Sequence, residues 1–205
     1  MKSFRRPSLV LLTTGLLLSA CQIVPDAQPD PTRFFVLEDP MSSANASLES
    51  DAVTIGLMGV RLPVYLADNR AMAVTTPDHQ VKYRDFDRWA EPLHEGIERV
   101  FGSALAREPA IARVMTLPFS TDVARDFDLQ INVRQCEGFL VGSNPTIRFA
   151  LDYSVLGTDG ELLLHDVYQS SGTDWNGEPG ELARLLSRAI ADAAAKIAAS
   201  LPAPD

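Results

Sequence analysis

The chain has 205 residues, 46% hydrophobic, 22% charged and 7% aromatic, a globular composition that excludes a disordered, collagen-like or multi-span membrane protein. Its 18 Lys and Arg against 27 Asp and Glu leave a net charge of −9, the wrong sign for a protein that neutralises nucleic-acid phosphates. Two cysteines cannot staple a disulfide-dense scaffold.

The chain opens with Lys2, Arg5 and Arg6, then an apolar run from Leu9 to Leu18 broken only by Thr13, Thr14 and Gly15. That run is too short to cross a hydrocarbon core about 30 Å thick as a helix, so residues 1–20 read as a secretory signal peptide. Leu18-Ser19-Ala20-Cys21 resembles a bacterial lipobox. The resemblance implies cleavage before Cys21, diacylation of its thiol and acylation of the new amine. Several acyl chains anchor firmly where one gives only marginal binding. Cys21 is therefore the expected lipid-attachment residue. The mature chain would hold 185 residues with a net charge of −12, held at a membrane by its lipid rather than by attraction to anionic headgroups. In the lipoproteins it resembles, Asp after the cysteine often retains the protein in the inner membrane. Gln22 does not, which points to the periplasmic face of the outer membrane. Residues 21–32 read as the acylated cysteine and a tether carrying Pro25, Pro29 and Pro31. The eleven residues from Gln22 to Thr32 reach at most ~35–40 Å.

Residues 33–201 read as one domain, followed by a tail over 202–205. Arg33 to Glu38 is a short apolar strand, and Met41 to Ser50 a loop. Val53 to Val60 is a second strand in which Gly56 and Gly59 suggest a bulge or a close backbone approach. Leu62 to Leu66 reads as a turn or a single helical turn. Ala71 to Thr75 and Gln80 to Arg84 form a hairpin about Thr76-Pro77-Asp78. Trp89, Leu93, Ile97, Val100, Phe101 and Leu105 recur at three and four, which predicts a helix capped by Asp87 or Glu91. Ala110 to Leu117 is a strand candidate. Phe127, Leu129, Ile131 and Val133 alternate with polar residues, as do Ile147 to Val155. Thr158-Asp159-Gly160 turns the chain into a strand over Glu161 to Gln169. A polar loop from Ser170 to Gly180 leads to a last helix carrying Leu182, Leu186, Ile190, Ala193, Ile197 and Leu201 on one face. The expected fold is α+β, a single domain with a mainly antiparallel sheet and two helices packed on one face.

No catalytic constellation stands out, and the expectation is a non-enzyme without cofactor or metal. His79, His94 and His165 are scattered. His94-Glu95-Gly96-Ile97-Glu98 lacks the second histidine of a zinc-protease helix. Asp85/Asp87 and Asp126/Asp128 are spaced for paired acid–base work, but a helix cap and a solvated strand face account for them as well. Cys136 reads as a small core residue. Trp175, in the loop before the last helix, is a candidate for a contact with a partner or lipid, or for closing the end of the core.

Three segments carry a wider resemblance: Phe34-Phe35-Val36-Leu37, Val60-Arg61-Leu62-Pro63-Val64-Tyr65-Leu66, and Phe86-Asp87-Arg88-Trp89-Ala90-Glu91-Pro92-Leu93. Their order and spacing resemble the PqiC family, also called ABC-type transport auxiliary lipoproteins, over about Arg33 to Leu201. The pattern departs after Leu66, where Ala67 to Met72 replaces an Asp-Arg-Pro-like link. The resemblance implies a non-enzymatic outer-membrane component of an intermembrane lipid transport system. It would dock an MCE-domain tube served by an inner-membrane permease or ABC complex, with phospholipid or another apolar cargo. It would act as a single latch or as a homo-oligomeric ring. Lys82, Tyr83, Arg84 and Arg88, around the entry to the most family-like segment, are the candidate partner surface with Trp175. Two other classes stay open: a pilotin-like assembly lipoprotein, and a periplasmic hydrolase built on one of the aspartate pairs.

Overall fold

A computed structural model describes residues 28–39, 48–120, 122–142 and 144–203. The signal segment, Cys21, Gln22 and most of the Met41 to Ser50 loop lie outside the described residues. The unit from Thr32 onward follows the expected order of four strands, helix, four strands, helix. Its elements are β1 (Arg33–Phe35), β2 (Val53–Arg61), α1 (Val64–Ala67), β3 (Ala71–Thr75), β4 (Val81–Trp89), α2 (Leu93–Leu105), β5 (Ile111–Thr116), β6 (Phe127–Val141), β7 (Asn144–Gly157), β8 (Leu162–Gln169) and α3 (Pro179–Ala198). Leu62 to Leu66 thus contains the start of one helical turn, as its sequence suggests.

All eight strands join one open sheet organised around the long strand β6. On one side β6 pairs with β7 along its whole length, and β7 pairs with β8, both antiparallel. On the other side β2 and β3 lie one after the other along β6, both parallel to it. The short helix α1 joins them without reversing the chain, so the two strands share a direction. β5 adds to β2 in parallel, β4 to β3 antiparallel, and β1 to β4 in parallel. The sheet is therefore mixed. Its longest ladder is antiparallel, and the parallel contacts arise because β2 and β3 run in line.

Two irregularities position the side chains. Val133 faces Leu151 and Gln135 faces Ala150, so Arg134 is an extra residue in β6. Odd-numbered residues point to the core up to Val133, and Cys136 and Gly138 do so after it. This break in alternation is why the sequence shows only the first half of the strand. In β2 the register against β6 shifts between Leu57 and Val60, and Gly59 has φ +86°. A Cβ on Gly56 would come within 2.7 Å of the Arg125 side chain. Both glycines act as their sequence suggests.

The inner face of the sheet is covered by α2 and α3, which also pack on each other. Ile97, Val100, Phe101 and Leu105 of α2 are buried against it, with Leu182, Leu186, Ile190, Ala193 and Ile197 of α3. Each fully buried large side chain contributes about 1.5–3 kcal/mol. One expectation is corrected here. The helix predicted from the Trp89 to Leu105 spacing, α2, begins at Leu93 with Pro92 as its N-cap, and Asp87 caps nothing. Trp89 is buried, as its apolar period requires, but it belongs to the end of β4. Pro92 disfavours α conformation at Glu91, so the helix cannot extend back through Glu91 to Trp89.

Candidate functional site

β1 and β4 form the outer end of one side of the sheet, and their register sorts their side chains. Phe35 lies opposite Trp89 and Arg33 opposite Asp87, all turned inward, while Phe34 lies opposite Arg88 and faces outward. Val36 continues the outward row past the strand, and Leu37 is buried on the inward side. In β4 the register against β3 moves from Met72↔Arg84 to Ala71↔Arg88, so the strand bulges over Asp85 to Asp87. Phe86, within the bulge, and Arg88, just past it, face outward. Before it Val81 and Tyr83 do, opposite Thr75 and Ala73. The result is a row of apolar residues open to water: Phe34 is 63% exposed, Phe86 55% and Val36 47%, with Val81 and Tyr83 at 39% and 38%. The Tyr83 hydroxyl donates to the Tyr65 carbonyl at 2.9 Å, which ties α1, with its exposed Val64, to the same face. Scattered exposed hydrophobics are ordinary, but a contiguous strip of this kind marks a contact surface.

Beneath the strip sits an ion cluster. The Asp87 carboxylate is buried and accepts from Arg33 Nε at 2.9 Å and from Arg84 Nε at 2.6 Å. Burial pushes the Asp87 carboxyl up, but the hydrogen bonds and charges of Arg84 and Arg33 outweigh it and hold it below the usual carboxylate range. Arg84 also donates to the Gly177 carbonyl at 3.2 Å. The cluster thus joins β1, the β4 bulge and the loop before α3.

The sequence-predicted surface residues divide accordingly. Lys82, Tyr83 and Arg88 are exposed on β4, with Tyr83 and Arg88 in the outward row. Arg84 is turned inward into the ion cluster. Trp175 is buried, its indole N–H donates to the Glu178 carbonyl at 2.7 Å, and its ring lies on Gly138. Of its two sequence readings, closure of the core end is the one its position fits. Cys21 lies outside the described residues.

A second feature was invisible in the sequence. Glu137 is buried on the outer side of β6, where its carboxylate accepts from the Tyr65 hydroxyl at 2.9 Å, the Cys136 N–H at 2.9 Å and the Thr75 hydroxyl at 3.4 Å. Burial pushes this carboxyl above its usual value against those hydrogen bonds and the Arg148 charge. Burial and the Glu137 charge push the Tyr65 hydroxyl up. Only the Arg134 bulge turns Glu137 to this face, so residue-by-residue alternation could not place it.

The other candidates for chemistry do not converge. Asp85 is exposed while Asp87 is enclosed by arginines. Asp126 accepts from the Thr54 N–H at 2.6 Å, and Asp128 pairs with Arg125 at 2.8 Å. His79 closes the β3–β4 turn in the left-handed region, φ 63°. His94 is exposed on α2, and His165 on β8 contacts Ser154 of β7 at 3.0 Å. Cys136 is buried in the core, and that burial pushes its thiol up. Among the described residues no group of three or more His, Cys, Asp or Glu is arranged to hold a metal ion.

Comparison with known proteins gives a family for this architecture. Residues 35–198 match the model of the ABC-type transport auxiliary lipoprotein component family. A crystal structure of protein XCC0632 from Xanthomonas campestris, of the DUF330 family, superposes with a TM-score of 0.68 at 15% identity, covering 82% of this chain and 93% of that one. A crystal structure of an uncharacterized protein superposes with a TM-score of 0.65 at 17% identity, over 83% of this chain and 99% of that one. At these identities the likeness shows the fold. No curated protein matches the sequence.

Proposed function

The chain belongs to the ABC-type transport auxiliary lipoprotein component family, and on that premise we propose that it is the outer-membrane lipoprotein of an MCE-type intermembrane lipid transport system. The family match over nearly the whole folded unit carries this reading. Cys21 provides the acyl anchor and Gln22 directs the protein to the periplasmic face of the outer membrane. The tether, residues 22–32, lets the domain stand off the bilayer by at most ~35–40 Å, which is too short to cross the periplasm. An MCE-domain tube, fed by an inner-membrane permease or ABC complex, must therefore come to the lipoprotein. The domain docks that tube, so that phospholipid or another apolar cargo is kept from water, and it performs no chemistry on the cargo. Copies joined through the open sheet edges β5 and β8 would form a ring with a lumen, and a single copy would form a latch.

The test is a mild-detergent pull-down of the tagged lipoprotein from membranes, with mass spectrometry of proteins and lipids. Enrichment of an MCE protein, lost when the domain is unfolded by mutation, is the expected result. Enrichment of a secretin or another assembly machine in its place would overturn the transport reading.

A further inference from the structure

We infer that the outward face of β1 and β4 is the surface this protein lays on the lipid leaflet, with Phe34, Phe86 and Tyr83 seated among the headgroups. The inference rests on the lipoprotein reading above. Three observations carry it. First, the tether enters the fold at β1, so the strip begins at Phe34, thirteen residues after Cys21. The anchor keeps the leaflet within reach of this face whatever the domain does. Second, the side chains are the kind that prefer the boundary between hydrocarbon and water: two phenylalanines, a tyrosine with its hydroxyl engaged, and valines, with the Arg88 guanidinium beside them at headgroup level. Third, the charge is arranged for it. The mature chain carries −12 and is repelled by an anionic leaflet on most sides. The exposed residues of the stretches from Val81 to Arg88 and from Phe34 to Val36 include two cations, Lys82 and Arg88, against one carboxylate, Asp85, so this face approaches phosphates at lower cost than the rest of an acidic domain. Attachment here comes from aromatic insertion rather than long-range attraction, and it is correspondingly insensitive to salt.

The two native tryptophans, Trp89 and Trp175, are both buried, so a tryptophan added at the surface reports on its own position. Full-length, lipidated protein carrying Phe34→Trp, Phe86→Trp or, as control, Leu163→Trp on the outward face of β8 is reconstituted into vesicles of phosphatidylethanolamine and phosphatidylglycerol. A fraction of the lipids carries a nitroxide on the acyl chain. Lipidation is verified by mass, and folding by the unchanged signal of the native tryptophans. The expected result is quenching at positions 34 and 86 roughly threefold or more above that at 163, retained in high salt. Equal quenching at all three positions overturns the inference. So does protection of 34 and 86 accompanied by their cross-linking to a second copy, because the strip is then a subunit interface. Capture of the MCE protein is scored separately on the same variants. Capture without selective quenching overturns the leaflet contact and leaves the transport reading standing, and selective quenching without capture does the reverse.

Discussion

Replacing Asp87 with Asn tests whether the ion cluster under the strip holds β1 and the β4 bulge in place. The carboxylate side chain is only 7% exposed, whereas the side chains of its partners Arg33 and Arg84 are 57% and 33% exposed. A charge-assisted hydrogen bond contributes up to ~1.5–3 kcal/mol, but the Arg33 contact is largely solvated and is discounted to ~1 kcal/mol or less. The Arg84 contact, more enclosed, is assigned ~1–2 kcal/mol, and the Asn oxygen restores ~0.5 kcal/mol as a neutral acceptor. The expected loss is about 0.5–2.5 kcal/mol, which for a domain of this size lowers Tm by roughly 1–10 °C. The pH dependence has a definite sign. The folded carboxyl lies below its ordinary value of 3.8, so its contribution is fully present above that value and disappears as pH falls through the folded pKa. Urea unfolding of wild type and D87N, followed by tryptophan fluorescence from about pH 7 to pH 3, reads both quantities. A neutral-pH difference under ~0.5 kcal/mol, or a difference that does not shrink in acid, refutes the reasoning.

Two further outcomes follow from single residues. Adding a methyl at Gly138 places a Cβ 2.6 Å from Trp175 Cζ3, and the enclosed ring has little room to move. G138A is expected to cost about 1–3 kcal/mol and to red-shift the emission of Trp175, whereas an unchanged spectrum and stability would show that the ring is not packed there. Glu137 behaves oppositely to Asp87, because its folded pKa is raised above the ordinary 4.5. Wild type is favoured below that value and loses ground as pH rises through the folded pKa. The Tm of E137Q minus that of wild type should therefore climb from about pH 4.5 toward neutrality and then level off, and a flat or falling difference contradicts the burial.

Particular residues show why some features can be read from the chain and others cannot. Ile147, Phe149, Leu151, Tyr153 and Val155 all point inward in β7 as their alternation requires, and the buried stripes of α2 and α3 follow their three-and-four spacing. Local chemistry governs these elements: a side-chain period of two or 3.6 meets water on one side and the core on the other. The hairpin about Thr158-Asp159-Gly160 is equally local, with Gly160 at φ 89°. Trp89 is the instructive exception. Its spacing to Leu93 is helical, yet Pro92 and pairing with Phe35 across 54 residues of chain keep it in a strand, since tertiary pairing outweighs propensity.

By itself, therefore, the sequence determined the class of fold, the element order, most of the core and the family, because each depends on patterns within a few residues or on motifs along the chain. The tertiary structure alone decided that the sheet is mixed, that Arg84 and Trp175 turn inward while Phe34, Tyr83 and Phe86 share an open face, and that Glu137 is buried. Each of these depends on strand register. A single extra residue, Arg134 in β6 or the bulge in β4, reverses which side every following side chain faces, and only the partner strands fix where that residue falls.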